Sequence, residues 1–190
     1  MALPTAGIKG IPSHYTLKYS QVAIEHQVTR IAGEIEQWCR EVSDTGDVLV
    51  IPILRGGVYF FADLTRRIGC SVEMAPGRAR AYEEGKNASA RSEVYISLDG
   101  VSVSGRHVLF VDDICDSGRT LDKLVAYTLA QGAETVRSAV LIRRTLSTGG
   151  FTPDWVGFEF EGSDWFVGYG MDDRSRYSNL SQIYTIKPGK

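Results

Sequence analysis

Asp112 and Asp113 are adjacent carboxylates at the end of an apolar run, and a polar turn follows them after two spacers. The stretch reads Val108-Leu109-Phe110-Val111-Asp112-Asp113-Ile114-Cys115-Asp116-Ser117-Gly118-Arg119-Thr120-Leu121. The first amides of a helix have no intrahelical partner, and the helix dipole makes that end positive. Ser117 and Thr120 add hydroxyl donors there, Gly118 lets backbone approach a ligand closely, and together they can cradle a phosphate. Asp112 and Asp113 repel phosphate but suit sugar hydroxyls, or a magnesium ion beside the phosphates. A phosphate site next to a diol or metal site on one loop implies a phosphorylated sugar. A plain strand, turn and capped helix with solvated acids would use the same residue types.

The elements that must carry this loop are legible on either side of it. Val108 to Val111 is an apolar run too short for a helix, so it reads as a buried strand. After the turn, Leu121, Leu124, Val125, Thr128 and Leu129 recur at helical spacing and stop at Gly132. A strand that turns tightly into a helix puts its loop at the carboxyl edge of a parallel sheet, where open α/β folds bind ligands. A second strand of the same kind runs from Val48 to Ile53 and delivers Leu54-Arg55-Gly56-Gly57 to a helix. That helix is expected to turn Val58, Phe61, Leu64 and Ile68 inward and to stop at Gly69. Alone, this short motif better fits a simple helix start; with the phosphate loop on a neighbouring strand, Arg55 and the amides of Gly56 and Gly57 would hold a second anion.

Elsewhere, Ser20 is an N-cap for a helix with Ile24, Val28, Ile31, Ile35 and Trp38 on one stripe. Residues 1–18 read as an irregular lead-in. One strand is expected over 71–82, then a polar segment from Glu83 to Glu93, then strands at 94–98, 136–142, 155–158 and 165–169. The order β-α-β-β-β-α-β-β indicates a doubly wound, mostly parallel α/β sheet with a small hood.

Composition narrows the partners. The 190 residues suit one domain, and the formal charge of −2 argues against bulk binding to nucleic acid or to an anionic membrane. No apolar run is long enough to span a bilayer, and the start lacks the charged and apolar regions of a secretory signal. Cys39, Cys70 and Cys115 are scattered without CxxC pairing, as expected of reduced thiols in a cytoplasmic protein. His14, His26 and His107 are isolated and suggest no metal site. No Lys follows a paired-glycine spacing, so the phosphate loop of nucleoside triphosphatases is absent.

The strand, acid pair and Asp116-Ser117-Gly118-Arg119-Thr120 resemble the phosphoribosyl pyrophosphate (PRPP) signature of type I phosphoribosyltransferases. Over residues 48–186 the chain is similar to the 6-oxopurine, hypoxanthine–guanine branch. Support comes from Leu54-Arg55-Gly56-Gly57-Val58-Tyr59-Phe60-Phe61-Ala62-Asp63-Leu64, Pro153-Asp154-Trp155-Val156-Gly157-Phe158-Glu159, and Phe166-Val167-Gly168-Tyr169-Gly170-Met171-Asp172. The resemblance implies one phosphoribosyltransferase domain over 1–190, its hood built from the lead-in and residues 150–186. It implies a Mg²⁺-dependent glycosyltransferase of purine salvage that takes PRPP and a purine base, hypoxanthine or guanine, and releases pyrophosphate, as a cytoplasmic homo-oligomer.

The resemblance also assigns roles. Asp112, Asp113, Asp116, Ser117, Gly118, Arg119 and Thr120 would hold ribose and 5′-phosphate, and Leu54, Arg55 and Gly56 the pyrophosphate. Arg55 and Asp116 would be catalytic, Asp116 exchanging a proton with a ring nitrogen from a position buried beside the other acids. Thr152, Trp165, Phe166 and Asp172 would form the base site. Asp112, Asp113 and Asp172 would hold Mg²⁺, and Tyr82 would open a lid over 83–93. Members of the family often keep the bond before the basic residue cis, so Leu54–Arg55 is expected to be strained.

Two departures stand out. Thr152 occupies the place of a usual lysine that donates to the 6-oxo group, and Ser178 replaces a basic residue for which Arg174 or Arg176 could substitute. Three alternatives stay open: a regulatory module that senses nucleotides on the same fold, a transferase for another nucleobase, and a phospho-receiver domain, whose opening strand also ends in paired acids.

Overall fold

The apolar run at Val48 becomes strand β2 (Val48–Pro52), buried along its whole length. The computed structural model describes residues 10–43, 48–75, 78–82, 93–97, 100–146 and 150–187. In it, β2 lies between β3 (Val72–Met74) and β6 (His107–Cys115), followed outward by β7 (Thr135–Arg144) and β8 (Trp155–Phe160). All four pairings are parallel, in the order β3-β2-β6-β7-β8.

Parallel strands need crossovers, and among the described residues two of these carry a helix. Helix α2 (Val58–Thr65) follows β2, and α3 (Arg119–Ala130) joins β6 to β7. Helix α1 (Gln21–Val42) precedes β2. Successive strand residues face opposite sides. Val50, Leu109, Val111 and Leu141 pack with Ile31 and Ile35 of α1 and Phe60 and Leu64 of α2. Leu49, Ile51, Phe110 and Val140 pack with Leu121 and Leu124 of α3. Both faces are therefore covered, which is why the strands read as unbroken apolar runs. Each such Leu or Ile contributes about 1.5–3 kcal/mol on burial.

Helix α1 follows its sequence pattern. The Ser20 hydroxyl accepts from the Ala23 N–H at 3.2 Å, and the Ile24, Val28, Ile31, Ile35 and Trp38 stripe is buried. Helix α2 is shorter than the pattern suggested, but Leu64 and Ile68 are buried as expected and Phe61 packs against the same core. It ends at Thr65, buries Phe60 and Leu64, and leaves Val58 41% exposed. The apolar content of this segment offers two inward faces, and packing against α1 and β6 selects one. Gly69 is not its terminator; the Gly69 N–H donates to the Glu36 carboxylate of α1 at 3.1 Å. In α3, Leu121, Leu124 and Thr128 are buried, while Leu129 is exposed. Gly132 ends that helix as expected, at φ +89°.

The single strand expected over 71–82 is two strands. β3 belongs to the parallel sheet, whereas β4 (Arg78–Tyr82) pairs antiparallel with β5 (Glu93–Ser97). Of the expected lid segment, 83–93, Glu93 begins β5, and residues 83–92 lie outside the described residues, as does the Tyr82 side chain.

The lead-in is not wholly irregular. It supplies β1 (Thr16–Tyr19), which with β10 (Ile183–Ile186) and β9 (Trp165–Val167) forms a three-stranded antiparallel sheet in the order β1-β10-β9. Partners so far apart in sequence leave no local signal of pairing. Tyr15, Val167, Leu180 and Tyr184 form the core of this hood. Two contacts fix it over the sheet. The Tyr19 ring stacks on Phe158 of β8 at 3.9 Å, and the Tyr169 hydroxyl donates to Asp63 of α2 at 2.6 Å. No helix among the described residues is long and apolar enough to cross a membrane.

Candidate active site

Between the hood and the carboxyl edge of the parallel sheet lies a pocket of about 520 Å³. Three segments build its walls. The turn after β2 contributes Leu54, Arg55 and Gly56, the end of β6 contributes Asp112, Asp113 and Asp116, and the hood contributes Trp165, Phe166 and Asp172. Nine residues singled out from sequence for their chemistry thus face one space.

The two acids lie inside the strand and not past its end, because β6 continues to Cys115 and pairs Asp112 with Val140 of β7. Asp113 is only 8% exposed. Burial pushes both carboxyls above the usual carboxylate range, and for Asp112 the neighbouring Asp113 charge adds to the rise. The Asp113 N–H donates to Asp112 Oδ1 at 2.9 Å. The preceding turn packs directly on this pair, with no room for a side chain at Gly56. The Leu54–Arg55 peptide is cis.

Gly118 caps α3 in the left-handed region, at φ +73°, without a side-chain cap. A Cβ there would fall 2.7 Å from the Phe151 carbonyl, so only glycine fits. Ser117, Gly118, Arg119 and Thr120 occupy the turn and first turn of α3, next to Asp116 and outside the lining of the main pocket. The helix-terminal amides thus adjoin the pocket.

Asp116 is not buried as expected. Its side chain is 65% exposed, and Arg144 Nε donates to its Oδ1 at 2.5 Å. Arg144 closes β7, the strand next to β6, and lines the pocket. Sequence reasoning gave it no role. The available signal was its place at the carboxyl end of the next parallel strand, where Cys115 pairs with Arg143 and brings Arg144 level with Asp116.

On the hood side, Trp165 is 60% exposed, and its Nε1–H donates to the Asp172 carbonyl at 2.9 Å. Phe166 is buried beside it. Asp172 Oδ2 accepts from the Ser175 N–H at 2.6 Å, which orients the carboxylate. Thr152 does not join the pocket lining; its hydroxyl accepts from Arg143 Nη2 at 3.1 Å. Arg174 and Arg176 line a separate hollow with Pro12, Asp173 and Tyr177, whereas Ser178 faces the main pocket. Cys115 is buried, and burial pushes its thiol up to about 11, which suits packing and not nucleophilic attack.

The lining carries four carboxylates, Asp112, Asp113, Asp116 and Asp172, against two guanidiniums, Arg55 and Arg144. A polyphosphate entering such a pocket needs added positive charge. The hard oxygen donors fit Mg²⁺, which binds through one or two carboxylates plus substrate phosphates. Among the described residues, no group of three or more Asp, Glu, His or Cys side chains is placed to hold a metal ion by itself.

A family model described as a phosphoribosyl transferase domain matches residues 18–174. The hypoxanthine-guanine phosphoribosyltransferase of Mycobacterium avium is 32% identical over 168 residues, which are 87% of this chain and 82% of that one. The bifunctional protein TilS/HprT of Listeria innocua is 36% identical over 141 residues, 74% of this chain, and the match spans 22% of that longer protein. Among solved structures, a Bacillus anthracis hypoxanthine-guanine phosphoribosyltransferase superposes with a TM-score of 0.78 at 27% identity. That match covers 90% of this chain and 97% of that one.

Proposed function

The chain belongs to the phosphoribosyl transferase family, and on that footing we propose that it transfers the 5-phosphoribosyl group of PRPP to hypoxanthine or guanine in purine salvage. A ring nitrogen of the base forms a bond to C1 of the ribose, the bond from C1 to pyrophosphate breaks, and pyrophosphate leaves with the electron pair. The base gives up one proton, and the product is a nucleoside 5′-monophosphate. The single observation that carries this reading is the pocket itself, where the Arg55 turn, the acid pair and the aromatic hood face one another beside the first turn of α3.

Each residue has a part that its position supports. The amides of Ser117 to Thr120, with the Ser117 and Thr120 hydroxyls, anchor the 5′-phosphate at the positive end of α3. Asp112 and Asp113 accept from the ribose hydroxyls and steady the sugar as positive charge builds on it. Arg55, with the Leu54 and Gly56 backbone, holds the leaving pyrophosphate. Trp165 and Phe166 lie where the base would bind, and Asp116 takes its proton.

Family enzymes generally use Mg²⁺ with PRPP. Here Asp112, Asp113 and Asp172 would hold the ion, which when bound neutralises charge on the departing pyrophosphate. We take 1–190 as one catalytic unit with Tyr82 at the lid entrance, working in the cytoplasm, where its three unpaired thiols are stable. A homo-oligomer is part of the proposal, tested by light scattering on the eluting protein.

The deciding experiment is pyrophosphate release with PRPP and Mg²⁺ in the presence of hypoxanthine, guanine, xanthine or adenine in parallel. Turnover with the first two, lost on omission of Mg²⁺, is the expected result. Absence of release with every base would leave a nucleotide-sensing module as the better description.

A further inference from the structure

We propose that Tyr169 is a positioning residue: its hydroxyl, bonded to Asp63, holds the hood loop against the turn that carries Arg55 and so sets the gap that receives the diphosphate of PRPP. This inference rests on the phosphoribosyl-transfer reading and deepens it by naming what spaces the two walls of the leaving-group site.

Two strips of backbone form those walls. One is the turn at 54–57, which runs straight into α2; the Phe61 N–H donates to the Gly57 carbonyl at 2.9 Å, so turn and helix are continuous. The other is the hood loop at 168–172. Arg55 on the first strip and Asp172 on the second both line the pocket. The strips touch where a Cβ on Gly170 would collide with the Gly56 carbonyl. One point of contact leaves a hinge. The Tyr169 hydroxyl supplies a second point, donating to Asp63 at 2.6 Å. Asp63 lies six residues beyond Gly57, roughly 9 Å along the helix axis, and a second attachment at that distance fixes the angle between the strips.

The loop is shaped to reach α2. Gly168, Tyr169 and Gly170 have φ of +104°, +50° and +105°. Tyrosine rarely adopts that conformation, which persists only where the surroundings hold it. Within the hood, the Tyr169 N–H donates to the Leu180 carbonyl at 2.7 Å and the Gly170 N–H to the Ser178 carbonyl at 2.9 Å. Tyr169 is buried, and its ring lies 6.3 Å from that of Tyr59, which lines the pocket. Burial and the bond to Asp63 push the phenol pKa up, so the hydroxyl stays a donor through the working range. The Asp63 side chain is 39% exposed, so removing the hydroxyl strands no fully buried charge.

Tyr169→Phe deletes the bond and little else. We expect KM for PRPP, and the calorimetric Kd for inorganic pyrophosphate with Mg²⁺, to rise about 5- to 10-fold, as for one hydrogen bond to a half-exposed charged group. KM for hypoxanthine should stay within about twofold, well under that loss, because Trp165 and Phe166 belong to β9 and are held by pairing with β10. Asp63→Ala should match Tyr169→Phe, and the double variant should be no worse than either, as befits two ends of one bond. Asp63→Asn loses the charge that faces Arg67 at 3.9 Å but keeps an acceptor for the phenol. It should stay within about twofold of the wild type.

A role confined to stability would lower the melting temperature and the active fraction of Tyr169→Phe while leaving KM and Kd unchanged, and that result overturns the proposal. Equal rises in KM for PRPP and hypoxanthine, or additive losses in the double variant, overturn it as well. If Tyr169→Phe does not fold, as seen by its thermal melt, Asp63→Ala and Asp63→Asn carry the same comparison: a rise in the first alone supports the proposal, and equal values overturn it. Failure of the functional reading looks different, because the wild type would then release no pyrophosphate with any base.

Discussion

A Cβ placed on Gly56 would collide with Oδ2 of Asp113. The turn that carries Arg55 and the Asp112–Asp113 pair are therefore in direct contact, with no side chain between them. Under the proposed function, closeness of this kind would tie the position of one half of the substrate to the other. It also brings a carboxylate into a place where burial raises its affinity for a proton.

Gly56→Ala tests that contact. The methyl group must displace either the turn or the Asp113 side chain, and misplacement near 1 Å costs about a hundredfold in rate. The expected outcome is a loss of about that size in kcat/KM for PRPP, with a circular dichroism spectrum like that of the wild type. Near-normal turnover would show that turn and carboxylate move independently.

Asp116→Asn removes the proton acceptor while keeping the shape of the side chain. General acid–base catalysis contributes about 10²- to 10⁴-fold, so kcat should fall by an amount in that range. PRPP binding, measured by calorimetry, should stay largely intact because Ser117 to Thr120 and Asp112 to Asp113 are untouched. A rate close to that of the wild type would remove Asp116 from the chemistry.

Trp165 supplies a convenient reporter. It is 60% exposed at the pocket mouth, while Trp38 is buried at 7%. Stacking of a base on an aromatic ring is worth about 1–3 kcal/mol. Trp165→Ala should raise KM for the base by about 5- to 150-fold at that energy. Trp165→Phe should recover most of the loss, and base binding should quench indole fluorescence in the wild type alone. An unchanged KM in Trp165→Ala would place the base elsewhere.

Cys115 gives a pH test. Its thiol is pushed up to about 11, first by burial and then by the Asp112 carboxylate. The neutral form therefore dominates at every pH well below that value, and the thiolate fraction grows about tenfold per pH unit on the way up. Alkylation at neutral pH should leave Cys115 unmodified by mass spectrometry. Rapid labelling of Cys115 at neutral pH would contradict its burial in the core under α3.

Local pattern explains why so much of the catalytic loop was legible before any coordinates. The strand from Val108, the turn through Gly118 and the helix that stops at Gly132 are consecutive in the chain. Each is set by short-range chemistry: a run of apolar residues, a left-handed glycine, and spacing near 3.6. The same holds for α1, where Ser20 and five stripe residues fix start and face. Around α2 the pattern places Phe61, Leu64 and Ile68 inward as found, but Val58 is exposed and Phe60 buried, because the segment offers more than one apolar stripe and packing against α1 chooses.

By itself the sequence determined which residues could grip a phosphorylated sugar, and that a buried strand would carry them to the edge of a parallel sheet. Those facts depend on neighbours in the chain, and on burial that period and composition announce. Tertiary structure alone decided that Arg144 stands against Asp116, that Thr152 turns instead to Arg143, and that Gly56 abuts Asp113. The reason is geometric. Register between parallel strands sets which side chains are level, and the hood sheet joins segments from opposite ends of the chain. Neither leaves a mark on local spacing.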